Sequence, residues 1–311
     1  MAKVAIITLL YNPDKFVDNY LSSIGQLDYP IEDLSLCLLD NSPSDDYFPK
    51  IQEKIKDPKF QINCEIKLEK SSSNLGFSGG NNHWFEKLID SEYDYFFLLN
   101  QDSEIRSDCI SKLVAMADKN PQAGLVEAIQ EPKEHPKCYD PETFETSWCS
   151  GGGVLIRRTA LKEIGFFDHN FFLYCEDVDL SWRMWNANWK CLVCREAMYT
   201  HITEEADEDK DQSIRFFYSF RNGLLMHYKY DTWYGIFKHI SQAFAVCFLQ
   251  DPVRKKAFLK GWFAGLAHFP YYAFKKLTTF QENSKWITFN RFEYGERREF
   301  KDTEDGKRVF L

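Results

Sequence analysis

Residues 95–104 read Tyr95-Phe96-Phe97-Leu98-Leu99-Asn100-Gln101-Asp102-Ser103-Glu104. Five consecutive apolar residues predict a strand buried on both faces, and the polar residues after them mark where the chain surfaces. The pattern recurs upstream. Residues 3–8 (KVAIIT) lead into Leu9-Leu10-Tyr11-Asn12, and residues 34–39 lead into Asp40-Asn41-Ser42-Pro43. A shorter strand is expected at 64–69, with others at 125–129 and 151–157 and one through KCLVCREAMYT near 190–200. Helical patterns fall between them, at 13–25, 46–56, a stretch opened by the Ser/Gly/Asn loop 71–82 and ending near 89, 107–119 and 176–186. In the last of these Asp179 and Arg183 stand at i, i+4, as a helical ion pair would. This order predicts an α/β fold with a mostly parallel central sheet and helices on both faces. Residues 131–148, with Pro132, Pro136 and Pro141, read as loop.

Beyond about Ser213 the pattern becomes helical, over 213–229, 232–249 and 254–277. The last stretch mixes Lys255, Lys256, Lys260, Lys275 and Lys276 with Trp262, Phe263, Tyr271 and Tyr272. No run reaches the ~18–20 apolar residues of a membrane span. Residues 204–212 (EEADEDKDQ) read as a solvated loop rather than a lid. The polar last stretch of the chain is expected to be loosely ordered.

Charge narrows the function. With 38 Lys and Arg against 47 Asp and Glu, the net charge of -9 argues against nucleic acid as a partner. An acidic protein that binds a diphosphate calls for a metal to balance charge. The start, MAKVAIITLLYN, reads as a strand rather than a leader, and nine cysteines form no small-domain framework, so a reducing cytoplasm is expected. Cys191 and Cys194, at i and i+3 of a strand, point to opposite faces and read as core residues, not as a metal pair.

The chemistry-bearing residues gather at strand ends, where open parallel sheets bind ligands. No glycine fingerprint follows the first strand and no Walker loop exists, which disfavours a dinucleotide oxidoreductase and a P-loop enzyme. If the extended chain continued past Leu99, residues 100, 102 and 104 would share a face, and oxygens at i and i+2 could hold a hard divalent cation. A polar turn is the plainer alternative. The loop Asn74-Leu75-Gly76-Phe77-Ser78-Gly79-Gly80-Asn81 could offer backbone N–H groups to an anion or simply cap its helix. In residues 166–179 an aromatic run delivers Glu176 and Asp177 to a helix start. Capping accounts for one of them, and a general base beside a sugar platform for the pair. His201, at a strand end, is a third corner.

Together these segments resemble the inverting family 2 glycosyltransferases of the GT-A fold, in their rhamnosyltransferase-like branch. The likeness rests on the 74–81 loop, Leu99-Asn100-Gln101-Asp102, Gly151-Gly152-Gly153-Val154-Leu155-Ile156-Arg157-Arg158, Gly165-Phe166-Phe167-Asp168, residues 172–183, His201 and Arg221-Asn222, in that order over about residues 3–230. It implies a GT-A catalytic domain over 1–205, a helical region over 206–285 and a polar tail over 286–311. Asp40 would lie near the nucleobase, with Thr8 and Tyr11 at the same end. Asn74, Gly76, Asn100, Gln101 and Asp102 would face the donor, and Trp148, Gly151 and Gly152 the reacting sugar. Asp102 and His201 would hold manganese or magnesium, although Asn100 stands where the D-x-D motif has its first acid. Asp177 would be the base, with Glu176 as the alternative.

The implied function is transfer of a hexose, rhamnose-like or other, in polysaccharide or glycan assembly. The implied partners are a nucleotide-diphosphate sugar donor and a saccharide or lipid-linked saccharide acceptor. An anionic membrane surface, met peripherally, and a second copy of the chain are further candidates. The competing reading is a nucleotide-sugar-binding partner subunit that has lost catalysis. A nucleotidyltransferase would want a basic glycine-rich loop where Tyr11-Asn12-Pro13-Asp14 stands.

Overall fold

The computed structural model describes residues 1–13, 16–135, 137, 139–202, 208–230, 233–242, 251–278, 300–302 and 308–310. The elements run β1 (Val4–Leu10), α1 (Val17–Gly25), β2 (Leu34–Asp40), α2 (Tyr47–Lys54), β3 (Glu65–Lys70), α3 (Gly76–Leu88), β4 (Tyr95–Leu99) and β5 (Ser103–Ile105). Then come α4 (Cys109–Lys119), β6 (Ala123–Glu131), β7 (Gly153–Arg157), α5 (Arg158–Ile164), α6 (Glu176–Asn186) and β8 (Lys190–His201). Helices α7 (Glu208–Tyr230), α8 (Trp233–Gln242), α9 (Pro252–Ala267) and α10 (Phe269–Thr278) follow, and β9 (Phe300–Asp302) pairs antiparallel with β10 (Arg308–Phe310).

Eight strands form one sheet in the order β3-β2-β1-β4-β7-β6-β8-β5. The first four are parallel, as expected. Past β4 the sheet is mixed, because β7 runs antiparallel to both β4 and β6. Strand alternation sorts the core into two layers. Val4, Ile6 and Leu10 pack with Tyr20 and Leu21 of α1 and Leu113 of α4. Ala5 and Ile7 face the other way, with Trp84 and Phe85 of α3, Leu161 of α5 and Leu180 and Met184 of α6. A third cluster joins α7, α8 and α10 to Phe171 and to Trp182 of α6. Cys191 falls in one sheet layer and Cys194 in the other, as their spacing requires.

Two features of the second half were not legible as strands. The chain does not stay extended past Leu99. It turns at Gln101-Asp102, and the three-residue β5 then pairs with the end of β8. Three strands lie between β4 and β5 in sheet order, which makes four inter-strand spacings. At about 4.8 Å per strand a flat sheet would hold them roughly 19 Å apart, whereas the four residue steps between Leu99 and Ser103 reach about 14 Å at most. The sheet therefore curls. The curl coincides with a bulge in β8: Cys194 pairs with Ala128 and Met198 with Ile129, so Arg195, Glu196 and Ala197 have no counterparts on β6.

Residues 208–212 belong to α7 rather than to a loop. Residues 203–207 lie outside the described residues. So do Asp14 and Lys15 of the expected first helix, 243–250 of the expected 232–249 helix, and most of the polar tail. The expected 254–277 helix is two, broken at His268.

Candidate active site

At the exits of β1 and β2 the polar side chains are already engaged. Thr8 lies on the same strand face as Ile6 and Leu10, so its hydroxyl points into the core. It donates to the Leu99 carbonyl at 2.9 Å and meets the Tyr20 hydroxyl at 2.6 Å. The Thr8 hydroxyl is thus engaged inside the protein. Asp40 is fully buried, its carboxylate taken by the Lys70 ammonium at 3.0 Å and the Ser42 N–H at 3.0 Å. It organises the 40–44 turn. Tyr11 is exposed, and its backbone is clamped by Gln101, which accepts from the Tyr11 N–H and donates to the Tyr11 carbonyl, both at 2.8 Å.

The glycine-rich loop is a cap, not an open anion cradle. The Asn74 carboxamide oxygen accepts from the Gly76 N–H at 2.9 Å, and the Phe77 N–H is spent on the Phe172 carbonyl at 2.8 Å. Gly76 has φ +68°, and a Cβ there would sit 2.3 Å from the Phe172 oxygen, so only glycine fits. Asn41 joins this loop to β2: its oxygen accepts from the Leu75 N–H at 2.8 Å and its amide donates to Asn74 Oδ1 at 3.1 Å.

The far side of the crevice differs. The curl and bulge bring Ser103 opposite His201, and Asp102 Oδ1 lies 3.1 Å from His201 Nε2. Both side chains are partly exposed, 30% and 20%. Among the described residues no third His, Cys, Asp or Glu joins them. This geometry suits a divalent ion shared with a ligand. Bonds of about 2.1 Å at a right angle would set O and N about 3 Å apart. One carboxylate and one imidazole suit manganese or magnesium, with coordination left over for diphosphate oxygens. Asn100 lies close by, its N–H on the Gly152 carbonyl at 3.1 Å, while Glu104 turns away to accept from Asn19 at 2.7 Å. Residues 100, 102 and 104 thus do not form one ligand face.

Asp177 stands in the first turn of α6. Its carboxylate accepts from the Val178 N–H at 2.8 Å and the Gly151 N–H at 3.2 Å. A Cβ on Gly151 would collide with the Phe77 ring at 2.8 Å, so the glycine lets the backbone reach the acid. Burial pushes the Asp177 carboxyl up, against the pull of the Gly151 and Val178 N–H groups and the Lys137 ammonium. Glu176 is 5% exposed, and Oε2 has no hydrogen-bond partner among the described residues. Burial, reinforced by the charge of Asp177, drives Glu176 well above the usual carboxyl range. The Tyr199 phenol donates to Gln130 Oε1 at 3.2 Å, and burial first, then the charges of Asp102, Cys109 and Asp177, push it up.

Beside Asp177 is a group that the sequence did not announce. Lys137 is buried, paired with Glu127, bonded to the Trp148 carbonyl at 2.9 Å and set 4.6 Å from the Trp148 ring centroid. Burial pushes its ammonium down to about 8. Glu127 also accepts from the Ser150 N–H at 2.9 Å, so the pair fixes the approach to Gly151 and Gly152. His135 packs edge-on against Trp148, its pKa held down by burial and by His201. A lysine in a proline-rich loop reads as solvated. Glu127, the single acid inside an apolar strand, was the one available signal.

Comparison with known proteins bears on the family and the fold. The model for glycosyl transferase family 2 matches residues 5–180, and that for glycosyl transferase family group 2 matches residues 142–280. An N-acetylglucosaminyl-diphospho-decaprenol L-rhamnosyltransferase of Mycobacterium tuberculosis is 23% identical over 240 residues, covering 63% of this chain and 75% of that protein. The mannosyltransferase PcManGT from Pyrobaculum calidifontis, solved with GDP-Man and Mn2+, superposes with a TM-score of 0.61 at 13% identity, over 95% of this chain and 88% of that one. TarS 1–349 of S. aureus gives 0.55 at 13% identity, over 99% and 96%. These solved structures share the GT-A fold. A family match over more than half of its length places the chain in glycosyl transferase family 2.

Proposed function

We propose that the chain transfers a hexosyl group from a nucleoside-diphosphate sugar to a saccharide hydroxyl, with inversion and with Asp177 as general base. The observation that carries this reading is the Asp177 carboxylate itself. Two backbone N–H groups aim it, it is partly open to solvent, and it shares a crevice with the Asp102–His201 pair. Glu176 is the poorer base, being buried, with its carboxyl pushed up by burial and by the charge of Asp177.

In the transfer the acceptor oxygen bonds to the anomeric carbon as the bond from that carbon to the diphosphate oxygen breaks. The acceptor proton passes to Asp177, and the nucleoside diphosphate departs. A divalent ion at Asp102 and His201 would neutralise the charge that builds on the departing diphosphate. Gly151 and Gly152 let the backbone approach the reacting centre, and the Lys137–Glu127 pair holds their loop in place. The relative that moves L-rhamnose and the fold neighbour solved with GDP-Man and Mn2+ support a sugar-nucleotide donor and a metal.

A screen of nucleoside-diphosphate sugars with manganese, read by released nucleoside diphosphate and by the anomeric configuration of the product, tests this. Release that requires a saccharide acceptor and gives an inverted anomer is expected. Donor binding without any turnover would instead establish a binding subunit, and a retained anomer would remove the single-displacement mechanism.

A lipid-linked acceptor fits the helical region. Phe263, Tyr271 and Phe274 are exposed on α9 and α10, and a groove of about 780 Å³ is lined by Phe217, Phe263, Lys255, Lys256 and Lys260. Exposed aromatics among lysines suit an anionic membrane surface. Among the described residues no helix is long and apolar enough to cross a membrane. Flotation with phosphatidylglycerol vesicles at low salt should recover the protein, and recovery equal to that with neutral vesicles would end the membrane reading.

A further inference from the structure

The segment that delivers Asp177 is strained. Tyr174 and Cys175 both have φ +69°, two consecutive non-glycine residues in the left-handed region, directly before Glu176 and Asp177. Left-handed residues occur singly as a rule, and bulky side chains disfavour them. Such a turn persists only where its surroundings hold it.

The hold comes from the helical region. Asn222, on α7, is fully buried and donates both amide hydrogens, to the Leu173 carbonyl at 2.7 Å and the Tyr174 carbonyl at 2.7 Å. Its own oxygen accepts from Arg221 Nη1 at 2.7 Å, which fixes the orientation of the amide. Arg221 Nη1 also donates to the Asn170 carbonyl at 2.8 Å, and Nη2 lies 3.2 Å from His268 Nε2 at the end of α9. His268 Nδ1 lies 2.8 Å from the Ala264 carbonyl, so the ring donates there and accepts from Arg221. Donors and acceptors match along the whole chain from α9 through α7 to the left-handed turn. On the α6 side the Asp179 N–H returns to the Cys175 carbonyl at 2.9 Å, so the turn and the first turn of α6 are one unit.

We propose that Asn222 is a positioning residue for Asp177, pinning the Tyr174-Cys175 turn so that the helical region sets the aim of the base. This rests on the reading of Asp177 as base. Asn222 touches neither donor nor acceptor in this scheme, and acts only through the backbone that carries Asp177.

The test has two arms. In the first, Asn222→Ala and the volume-preserving Asn222→Asp are assayed for transfer. Each should lower kcat on the order of 10²-fold, the size of a small misplacement of a catalytic group, with the KM for donor unchanged. Adding Cys175→Gly, which adopts the turn without strain, should return most of the loss. In the second arm, hydrogen exchange over residues 170–179 is followed without donor. Protection should fall in Asn222→Asp and stay in the wild type. Wild-type kcat in both variants, a loss that Cys175→Gly leaves untouched, or unchanged exchange would each overturn the proposal. A wild-type enzyme with no transfer to any acceptor would refute the base assignment instead, and the exchange arm would still judge the clamp.

Discussion

The two sides of the crevice are built on different terms. At the exits of β1 and β2 and in the loop after β3, Thr8, Asp40, Asn41 and Asn74 spend hydrogen bonds on the protein itself. At the start of β5, the end of β8 and the start of α6, Asp102, His201 and Asp177 remain partly exposed, with coordination or proton-accepting capacity left over. The first side is scaffold that shapes a floor. The second is where an ion, a diphosphate and a hydroxyl could be met. Polar residues at strand ends thus divide by whether the protein itself takes up their hydrogen bonds, and position alone does not separate them.

The comparison breaks most visibly at Asp177. Asp177→Asn keeps the shape and removes the proton acceptor, so transfer should fall ~10²–10⁴-fold while nucleotide binding persists. A base acts only when deprotonated, and burial raises its pKa, so wild-type kcat/KM should fall on acidification above the ordinary aspartate value of about 3.9. That acid limb should be missing from the residual activity of Asp177→Asn. Near-normal turnover in this variant, with Glu176→Gln inactive, would move the base to Glu176.

A smaller effect is expected at the pair. Asp102→Ala and His201→Ala should each lose transfer by on the order of 10²-fold, the several kcal/mol a divalent ion supplies. Excess chelator should do the same to the wild type and add little to either variant. Full wild-type turnover in chelator would make Asp102–His201 an ordinary ion pair, and the contrast between the two sides would lose half its content.

The smallest effect sharpens the scaffold side. Thr8→Val removes the hydroxyl that meets Tyr20 and Leu99, and should cost about 1–3 kcal/mol of stability by leaving buried partners unanswered. Turnover and donor KM should stay within about twofold of wild type, since no more than roughly 0.4 kcal/mol of transition-state binding is at stake. A large rise in donor KM, measured at a temperature where the variant is folded, would return Thr8 to the binding site.

Much of this was readable without coordinates, for identifiable reasons. Residues 95–99 and 176–186 fall where the sequence places them, because an unbroken apolar run and an acid-led amphipathic helix each have one solution. The meeting of Asp102 with His201 could be expected from the family likeness, yet nothing local foretold the route. β5 has three residues and no pattern, and KCLVCREAMYT reads as continuous strand with no sign of its bulge. Lys137 was invisible because pairing with Glu127, a purely tertiary event, is what allows a lysine to be buried. Thr8 and Asp40 stand at the strand ends as expected, with side chains that turn inward. The alternation that decides it was already in the sequence, since Thr8 keeps step with Ile6 and Leu10.

The bulge in β8 also acts as an arithmetic device. Cys194 lies in the same sheet layer as Ala197 and Tyr199, although strict alternation from Cys194 would select residues 196, 198 and 200. Three unpaired residues, an odd number, have inverted the phase of the strand, and His201 keeps step with Tyr199. Parity therefore governs this corner more than composition. Paired with β6 without the bulge, the same residues would be shifted in register and would carry His201 to the other layer.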